Sequence, residues 1–194
     1  MKISQTEVYE VATFYHHFDV VETDTDKPPA LTVRVCDSVS CEINGASELA
    51  NNLDNYYKGA VRIQKVPCIG RCQSAPAAVV KFNPVDNATF ESVKKVVDAG
   101  SFTPDIPKYI NFESYLKDGG YKIYQAVCKG EINDDAIVET LEDSELKGLG
   151  GAGFPAGRKW RILRDQTAPR LLAVNIDEGE PGTFKDRFYL ESDP

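Results

Sequence analysis

The chain has 194 residues, of which 42% are hydrophobic and 27% charged; that is enough apolar content for one or two folded domains and too much for a disordered chain. Its formal net charge of -8 argues against a nucleic-acid partner or an anionic membrane surface, which need clustered Lys and Arg. No apolar run is long enough to span a bilayer, and no secretory signal is visible at the N-terminus. We therefore expect a protein of the reducing cytoplasm, without direct membrane insertion.

The first hundred residues alternate between predicted helices and strands. Ser4 and Glu7 form a capping-box pattern before a helix that runs to about His17, and an acidic linker with two prolines follows. The next predicted elements are a strand in LTVRV that ends at Cys36, a helix from Gly45 to Tyr57, a strand in AVRIQKV that ends at Cys68, a strand in AAVVKF, and a helix from Ala88 to Ala99 ended by Gly100. This order predicts a small α/β layer.

A proline-containing segment around Pro104 and Pro107 breaks this pattern and predicts a domain boundary. Beyond it, short helices are expected at Phe112 to Lys117, at Tyr121 to Lys129 and, capped by Asn133, at Asp134 to Leu146. The segment KGLGGAGFPAGRKW is interpreted as a glycine-rich loop. The apolar run RLLAV is typical of a strand buried on both faces, and it leads into NIDEGEPGTFKDR.

Four of the five cysteines form two close pairs, Cys36 with Cys41 and Cys68 with Cys72, separated by 26 residues. A [2Fe-2S] cluster needs two sulfur ligands on each iron, and two loops that each give a pair meet that need. Gly70 would let the second loop curl around the cluster, and free backbone N–H groups could donate to the sulfurs. Structural zinc uses similar spacing, and two disulfides would also pair the cysteines. The spacing alone leaves these alternatives open.

The stretches EVATFYHHF, Cys-x4-Cys and PCIGRCQSAPA resemble the thioredoxin-like [2Fe-2S] subunit of respiratory complex I over about the first 100 residues. The resemblance implies that Cys36, Cys41, Cys68 and Cys72 ligate a [2Fe-2S] cluster. Cys128 matches no ligand position, so we interpret it as a small packed residue in a helix. His16 and His17 are interpreted as surface or packing residues.

The glycine-rich loop alone is a weak signal, but GGAGFP together with DEGEPGTFKDR resembles the flavin subunit of complex I and of related NAD-linked dehydrogenases, from Asp118 to Pro194. By this resemblance Glu180 is the catalytic residue beside the nicotinamide, and Phe154 offers an aromatic face to NADH. The remaining cofactor-binding residues that it implies for FMN and the nucleotide are Gly148, Gly150, Gly151, Ala152, Gly153, Lys159, Asn175, Asp177 and Glu178. Leu149 and Ile162 depart from the family, which more often carries Arg and an aromatic residue there.

These inferences predict an α/β protein with a short N-terminal helix, a thioredoxin-like [2Fe-2S] ferredoxin domain, and the start of an α/β FMN-binding domain. The predicted divisions are the end of a helical segment at 1–22, the [2Fe-2S] domain at 30–102, a linker at 103–120, and the first part of the FMN/NADH-binding domain at 121–194. We expect a fragment cut at both ends, with [4Fe-4S] ligands only in a missing C-terminal part.

The family resemblance implies electron transfer between NAD(H), FMN and iron-sulfur clusters. The fusion of the two modules, VCDS at the first ligand and GLGGAGFP in the loop resemble the β subunit of soluble NAD-dependent formate dehydrogenases. The implied partners are the other subunits of that complex, including a molybdopterin-binding α subunit. Complex I, an NAD-reducing hydrogenase and a non-catalytic metal-binding module are the alternatives.

Overall fold

A computed structural model describes residues 3–105, 108–176 and 185–192. The chain divides into two compact units, Met1–Asp105 with Glu178–Lys185 and Ile106–Asp177 with Asp186–Pro194. The predicted mixture of helices and strands is confirmed. The first unit contains all the strands found among the described residues.

The first unit is built on a four-stranded mixed sheet. Its elements in chain order are α1 Gln5–Phe14, β1 Thr32–Cys36, α2 Val39–Ile43, α3 Ala46–Tyr57, β2 Arg62–Val66, β3 Ala78–Val80, β4 Asn83–Val85 and α4 Phe90–Ala99. The sheet order is β2-β1-β3-β4. β1 and β2 are parallel, with Cys36 opposite Val66, whereas the β1–β3 and β3–β4 pairs are antiparallel. The carboxyl ends of β1 and β2 therefore lie side by side.

The core of this unit lies between the sheet and two helices. α3 contacts β1 and β2, and α4 contacts β3. Val33 and Val80 of the sheet, Leu53 of α3 and Val93 of α4 are fully buried in one hydrophobic cluster. Each such side chain contributes about 1.5–3 kcal/mol of transfer free energy on burial. This packing holds β1 and β2 in register below the loops that follow them.

Charged groups tie the segment after α1 to the start of the sheet. The Arg62 guanidinium donates to both carboxylate oxygens of Asp19, at 2.5 and 3.0 Å. Arg34, which is buried, donates to the carbonyl of His16 at 3.4 Å. Burial, followed by the charge of Arg34, lowers the pKa of His17 to about 4. Both histidines are therefore partly buried beside cations, which fits the packing role predicted for them.

Both predicted helix caps in this half of the chain are present. Ser4 and Glu7 form the capping box of α1, and Gly100 ends α4 in the left-handed region. Sequence reasoning missed the five-residue helix α2 and the strand β4. β4 contains Pro84 and lies at the edge of the sheet, where a residue without a backbone N–H is tolerated.

The described residues of the second unit are mainly helical. They include α5 Phe112–Lys117, α6 Lys122–Cys128, α7 Asp134–Asp143 and α8 Ala156–Arg164, and α9 spans Lys185–Ser192. The Asn133 side chain caps α7 as predicted, but α7 ends three residues earlier than expected. The region around α8 was predicted as loop; the helix begins directly after Pro155 and packs on α7.

Ion pairs and one glycine hold α7 against α8. Arg161 forms a two-point contact with Glu142, at 2.8 and 2.5 Å. Arg164 pairs with Asp134 and Asp135. Gly157 is buried where a Cβ atom would overlap with the backbone of Glu142. The two helices therefore approach each other closely only because position 157 has no side chain.

The prediction of a buried strand in RLLAV was wrong. Residues 165–176 contain no regular strand, and the side chains of Leu171 and Leu172 are 94% and 89% exposed. A strand needs a partner for its backbone groups, and within the described residues none pairs with this segment. The apolar pattern was correctly recognised, but burial depends on chain segments that the pattern itself does not supply.

We predict that Gly157→Ala destabilises the α7–α8 pair by about 1–3 kcal/mol, because the added methyl group overlaps with backbone and the helices must move apart. Urea unfolding followed by the fluorescence of Trp160, the single tryptophan, measures the effect. Gly150→Ala is the matched control, since a Cβ there meets nothing within 4 Å. Equal unfolding midpoints for the two variants would contradict the packing role of Gly157.

Candidate functional site

The four paired cysteines lie at one edge of the sheet in the first unit. Cys36 is the last residue of β1, and Cys41 lies in α2 directly after it. Cys68 follows β2 by two residues, and Cys72 begins a short 3-10 turn. Because β1 and β2 are parallel, the loops that leave their carboxyl ends emerge at the same edge. The fold thus brings together two pairs that are 26 residues apart in sequence.

The thiols interact within each pair and between the pairs. The sulfurs of Cys68 and Cys72 are 3.6 Å apart, and the thiol of Cys36 is hydrogen-bonded to that of Cys41. Across the loops, Cys41 interacts with Cys72, and Cys68 interacts with Cys36. All four are free thiols, since a disulfide requires about 2.05 Å between the sulfurs. Two thiolates on one tetrahedral metal with bonds of about 2.3 Å stand about 3.8 Å apart.

Burial makes a thiolate costly at this edge. Cys36 and Cys41 are buried, whereas Cys68 is exposed. Burial is the main cause that raises the pKa of Cys41 to about 12, while the Ala77 backbone N–H acts in the opposite direction. Although Cys68 is exposed as a residue, desolvation of its sulfur by the surrounding loops raises the pKa of the thiol, and the Gly70 N–H, 3.4 Å from that sulfur, opposes the rise. The backbone donors stabilise negative charge on the sulfurs, as expected of a site for thiolate ligands.

Gly70 has the backbone conformation that the second loop requires. Its φ is +80°, in the left-handed region where a residue with a Cβ is strained. This conformation turns the Gly70 N–H back toward Cys68. The expectation that a glycine lets the loop curl, and that a free N–H donates to sulfur, matches this geometry.

The donor set at this edge of the sheet matches a binuclear cluster. Structural zinc also takes four thiolates, and a [2Fe-2S] cluster needs two thiolates on each of two irons. The two thiol pairs supply that donor set.

Cys128 lies apart from this group in sequence and in fold. It is in α6 of the second unit and is exposed, so the interpretation as a packed helix residue was wrong about its packing. Its interaction with Tyr124, one helical turn earlier, raises the pKa of that phenol. The short helix α6 has no buried residue, so Cys128 has no hydrophobic core to pack against.

The glycine-rich segment forms a closed loop in front of α8. Lys147 and Pro155 form an antiparallel bridge, and the Gly148 N–H donates to the Phe154 carbonyl at 2.9 Å. Gly151 and Gly153 have φ of +104° and +60°. The cofactor-binding residues predicted in this segment therefore lie together in one closed loop. They are Gly148, Gly150, Gly151, Ala152, Gly153 and Phe154.

Two cationic residues, Arg158 and Lys159, lie in the first turn of α8, directly after this loop. The Arg158 guanidinium carbon lies 5.9 Å from the centre of the Phe154 ring, and Lys159 is exposed in the first turn of the helix. Of the predicted flavin contacts further along the chain, Asn175 is an exposed residue outside any helix or strand. Asp177, Glu178 and Glu180 lie outside the described residues.

Sequence reasoning missed one ion pair beside the second cysteine pair, between a buried arginine and an exposed aspartate. Arg71, which immediately precedes Cys72, is buried and makes a two-point contact with Asp86. The only sign of this pair in the sequence is a charged residue, Arg71, inside the predicted ligand loop. Its partner Asp86 directly follows β4, and no local sequence pattern predicted that this strand lies next to the loop.

Comparison with known proteins finds family models that match two parts of the chain. The model of the thioredoxin-like [2Fe-2S] ferredoxin family matches residues 1–101. The chain belongs to this family. The model of the Nuo51 FMN-binding domain matches residues 141–194. The predicted fold class and the predictions of a [2Fe-2S] cluster and FMN are thereby confirmed.

The chain is similar to subunits of two kinds of complex. It is 42% identical over 88 residues to the F subunit of the NADH-quinone oxidoreductase of Aquifex aeolicus, and the match covers 45% of this chain and 20% of that subunit. It is 29% identical to the NAD-reducing hydrogenase HoxS subunit alpha of Cupriavidus necator, over 100% of this chain and 37% of that subunit. The mitochondrial NADH-ubiquinone oxidoreductase 51 kDa subunit of Neurospora crassa is 43% identical over 38% of this chain and 15% of its own length. The chain thus spans well under half of each of these relatives.

In the part of the chain that the structure describes, no helix combines the length and the apolar character needed to cross a bilayer.

We predict that Cys68→Ser abolishes the visible absorbance and the electron paramagnetic resonance signal of a [2Fe-2S] cluster in the anaerobically purified chain, and lowers the stability of the first unit, because metal binding and folding are coupled. The matched control, Cys128→Ser, should retain both signals. Loss of the cluster in Cys128→Ser together with its retention in Cys68→Ser would disprove the ligand assignment.

Proposed function

We propose that this chain is an electron-transfer unit in which Cys36, Cys41, Cys68 and Cys72 hold a [2Fe-2S] cluster next in sequence to a site for FMN and NAD(H). The observation that carries the proposal is the pairing of four free thiols at the shared carboxyl edge of β1 and β2. The family match over residues 1–101 supports the cluster, and the match over residues 141–194 supports the flavin.

In the first unit the chain's own groups supply ligands and tune them. Each loop gives two thiolates, which is the stoichiometry that one iron of the cluster needs. The Gly70 N–H donates to the sulfur of Cys68, and such a bond stabilises the charge on a ligand. Cys68 is exposed while Cys36 and Cys41 are buried. Electrons would therefore enter or leave through the side of the second loop.

In the second unit we propose that the glycine-rich loop is the floor of the flavin and nucleotide site. Gly148, Gly150, Gly151, Ala152 and Gly153 present backbone without bulky side chains, so a planar ring or a phosphate can approach closely. Phe154 offers an aromatic face, and Lys159 a phosphate-binding charge.

For the residues that follow the loop we propose the roles that the family resemblance implies. Asn175, Asp177 and Glu178 contact the flavin, and Glu180 lies beside the nicotinamide. When bound, FMN exchanges a hydride with NAD(H) and single electrons with iron-sulfur clusters. The protein's part in that chemistry is to hold the reactants in place and to set their electrostatic environment.

The names of the relatives support NAD(H) as substrate and a multi-subunit assembly as context, since they are subunits of an NADH-quinone oxidoreductase and of an NAD-reducing hydrogenase. For the parent complex we propose an NAD-dependent formate dehydrogenase with a molybdopterin-binding α subunit as partner. The fusion of the two modules and the motifs VCDS and GLGGAGFP support it.

An NAD-reducing hydrogenase is the second candidate for the parent complex, because its subunit alpha aligns with the whole of this chain. The neighbouring reading frames distinguish the candidates. A gene for a molybdopterin-binding subunit supports formate dehydrogenase, a gene for a nickel-iron subunit supports hydrogenase, and a series of membrane proton-pump subunits supports complex I.

We predict that the 194-residue chain, produced alone, binds two irons and two sulfides but oxidises no NADH. The four paired cysteines lie in a unit with its own buried core. In the second unit Leu171 and Leu172 are exposed, so the segment that should support the flavin lacks the packing that a rigid site needs. Iron, sulfide, FMN content and NADH–ferricyanide turnover can be measured on one preparation.

Two results of that measurement would contradict the proposal. A colourless chain with one zinc would exclude the cluster. Stoichiometric FMN with steady NADH oxidation would show that the described second unit is already a complete flavin site.

A further inference from the structure

Arg71 occupies an unusual position for a charged residue. It stands between Gly70 and the thiol of Cys72, yet only 8% of it is exposed. Its Nε and Nη2 donate to the two carboxylate oxygens of Asp86, at 2.6 and 2.7 Å. This parallel two-point geometry is the strongest form of an arginine–carboxylate contact. The side chain directly before a proposed ligand is therefore fixed to a different part of the fold.

The segment that holds Asp86 is also bonded to the backbone of the same loop. The Asn87 N–H donates to the Ser74 carbonyl at 2.8 Å, and the Ala88 N–H donates to the Pro76 carbonyl at 2.6 Å. The Arg71 carbonyl accepts from the Ser74 N–H at 3.0 Å and closes the turn that begins with Cys72. Residues 86–88 thus hold the second loop through two backbone hydrogen bonds and through the contact of Asp86 with Arg71, the residue directly before Cys72.

The charges of the pair bear on the cluster in opposite ways. Reduction adds one negative charge to a cluster, so a nearby guanidinium favours the reduced form and a nearby carboxylate disfavours it. Arg71 is buried, so solvent screens its charge less than the charge of Asp86, whose side chain is 39% exposed. Arg71 and Asp86 together nearly cancel, but the loss of either one leaves the other uncompensated.

We propose that the Arg71–Asp86 ion pair is a positioning device for Cys72 in which the carboxylate balances the guanidinium, so that the loss of either charge alone shifts the reduction potential of the cluster. The inference rests on the proposed ligand assignment. It makes Arg71 a positioning residue, since its guanidinium acts through the loop and through its charge and not as a ligand.

Four variants of the whole chain test this inference by redox titration followed with electron paramagnetic resonance. Arg71→Gln should lower the midpoint potential, and Asp86→Asn should raise it. The double variant should return the midpoint close to that of the unmodified chain. Arg71→Lys keeps the charge but loses the two-point fork, so its midpoint should change little while a chelator removes its iron about 10-fold faster.

The matched control is the second arginine–aspartate pair of the same unit, Arg62 with Asp19. Arg62 begins β2 at the end opposite to the cysteines, four residues or about 13 Å from Val66. Arg62→Gln and Asp19→Asn should therefore leave both the midpoint and the rate of iron release unchanged. Equal effects from the two pairs would overturn the inference.

The sign of the shifts separates this role from a merely structural one. If Arg71→Gln and Asp86→Asn only loosened the loop, their midpoints would move in the same direction, and that result, like no shift at all, would overturn the inference. A variant that keeps its far-UV circular dichroism but binds no iron supports the positioning role, and the remaining variants then test the potential. If the unmodified chain itself lacks a [2Fe-2S] signal, the ligand assignment fails, and this inference fails with it.

Discussion

The parallel pairing of β1 with β2 is the constraint on which the proposed cluster site depends. Five residue pairs hold the two strands in register, from Thr32 with Arg62 to Cys36 with Val66. A parallel register places both carboxyl ends at one edge of the sheet, so that each exit loop delivers its cysteines to the same place. The burial of α3 against both strands stabilises that register. Hydrophobic burial in the core of this unit, which includes Cys36 and Cys41, thus determines where the thiols meet.

The two loops satisfy different demands at this edge. The first enters a short helix at once and buries Cys36 and Cys41, and burial raises the pKa of the Cys41 thiol. The second keeps Cys68 exposed and is shaped by Gly70 and by its bonds to residues 86–88. One loop therefore shields the proposed cluster, and the other offers the shorter path for an electron to a partner.

The sequence predicted features that depend on local chemistry. The capping box of α1, the glycine end of α4, the strand before Cys36 and the cysteine pairing could all be found, because each rests on a few neighbouring residues. The contact of Arg71 with Asp86 could not be found, because it depends on β4, a three-residue edge strand that contains Pro84. The helix α8 was not predicted, because the glycines before it indicated a loop and because ion pairs with α7 stabilise it. Burial of RLLAV was expected from composition, but burial needs partners that a pattern does not specify.

We propose that each loop supplies both ligands of one iron. Crystals of the anaerobically purified chain, measured at the iron and zinc absorption edges, test this assignment most directly. We expect two anomalous peaks at the iron edge, one beside the sulfurs of Cys36 and Cys41 and the other beside those of Cys68 and Cys72. A single peak at the zinc edge, equidistant from all four sulfurs, would contradict it.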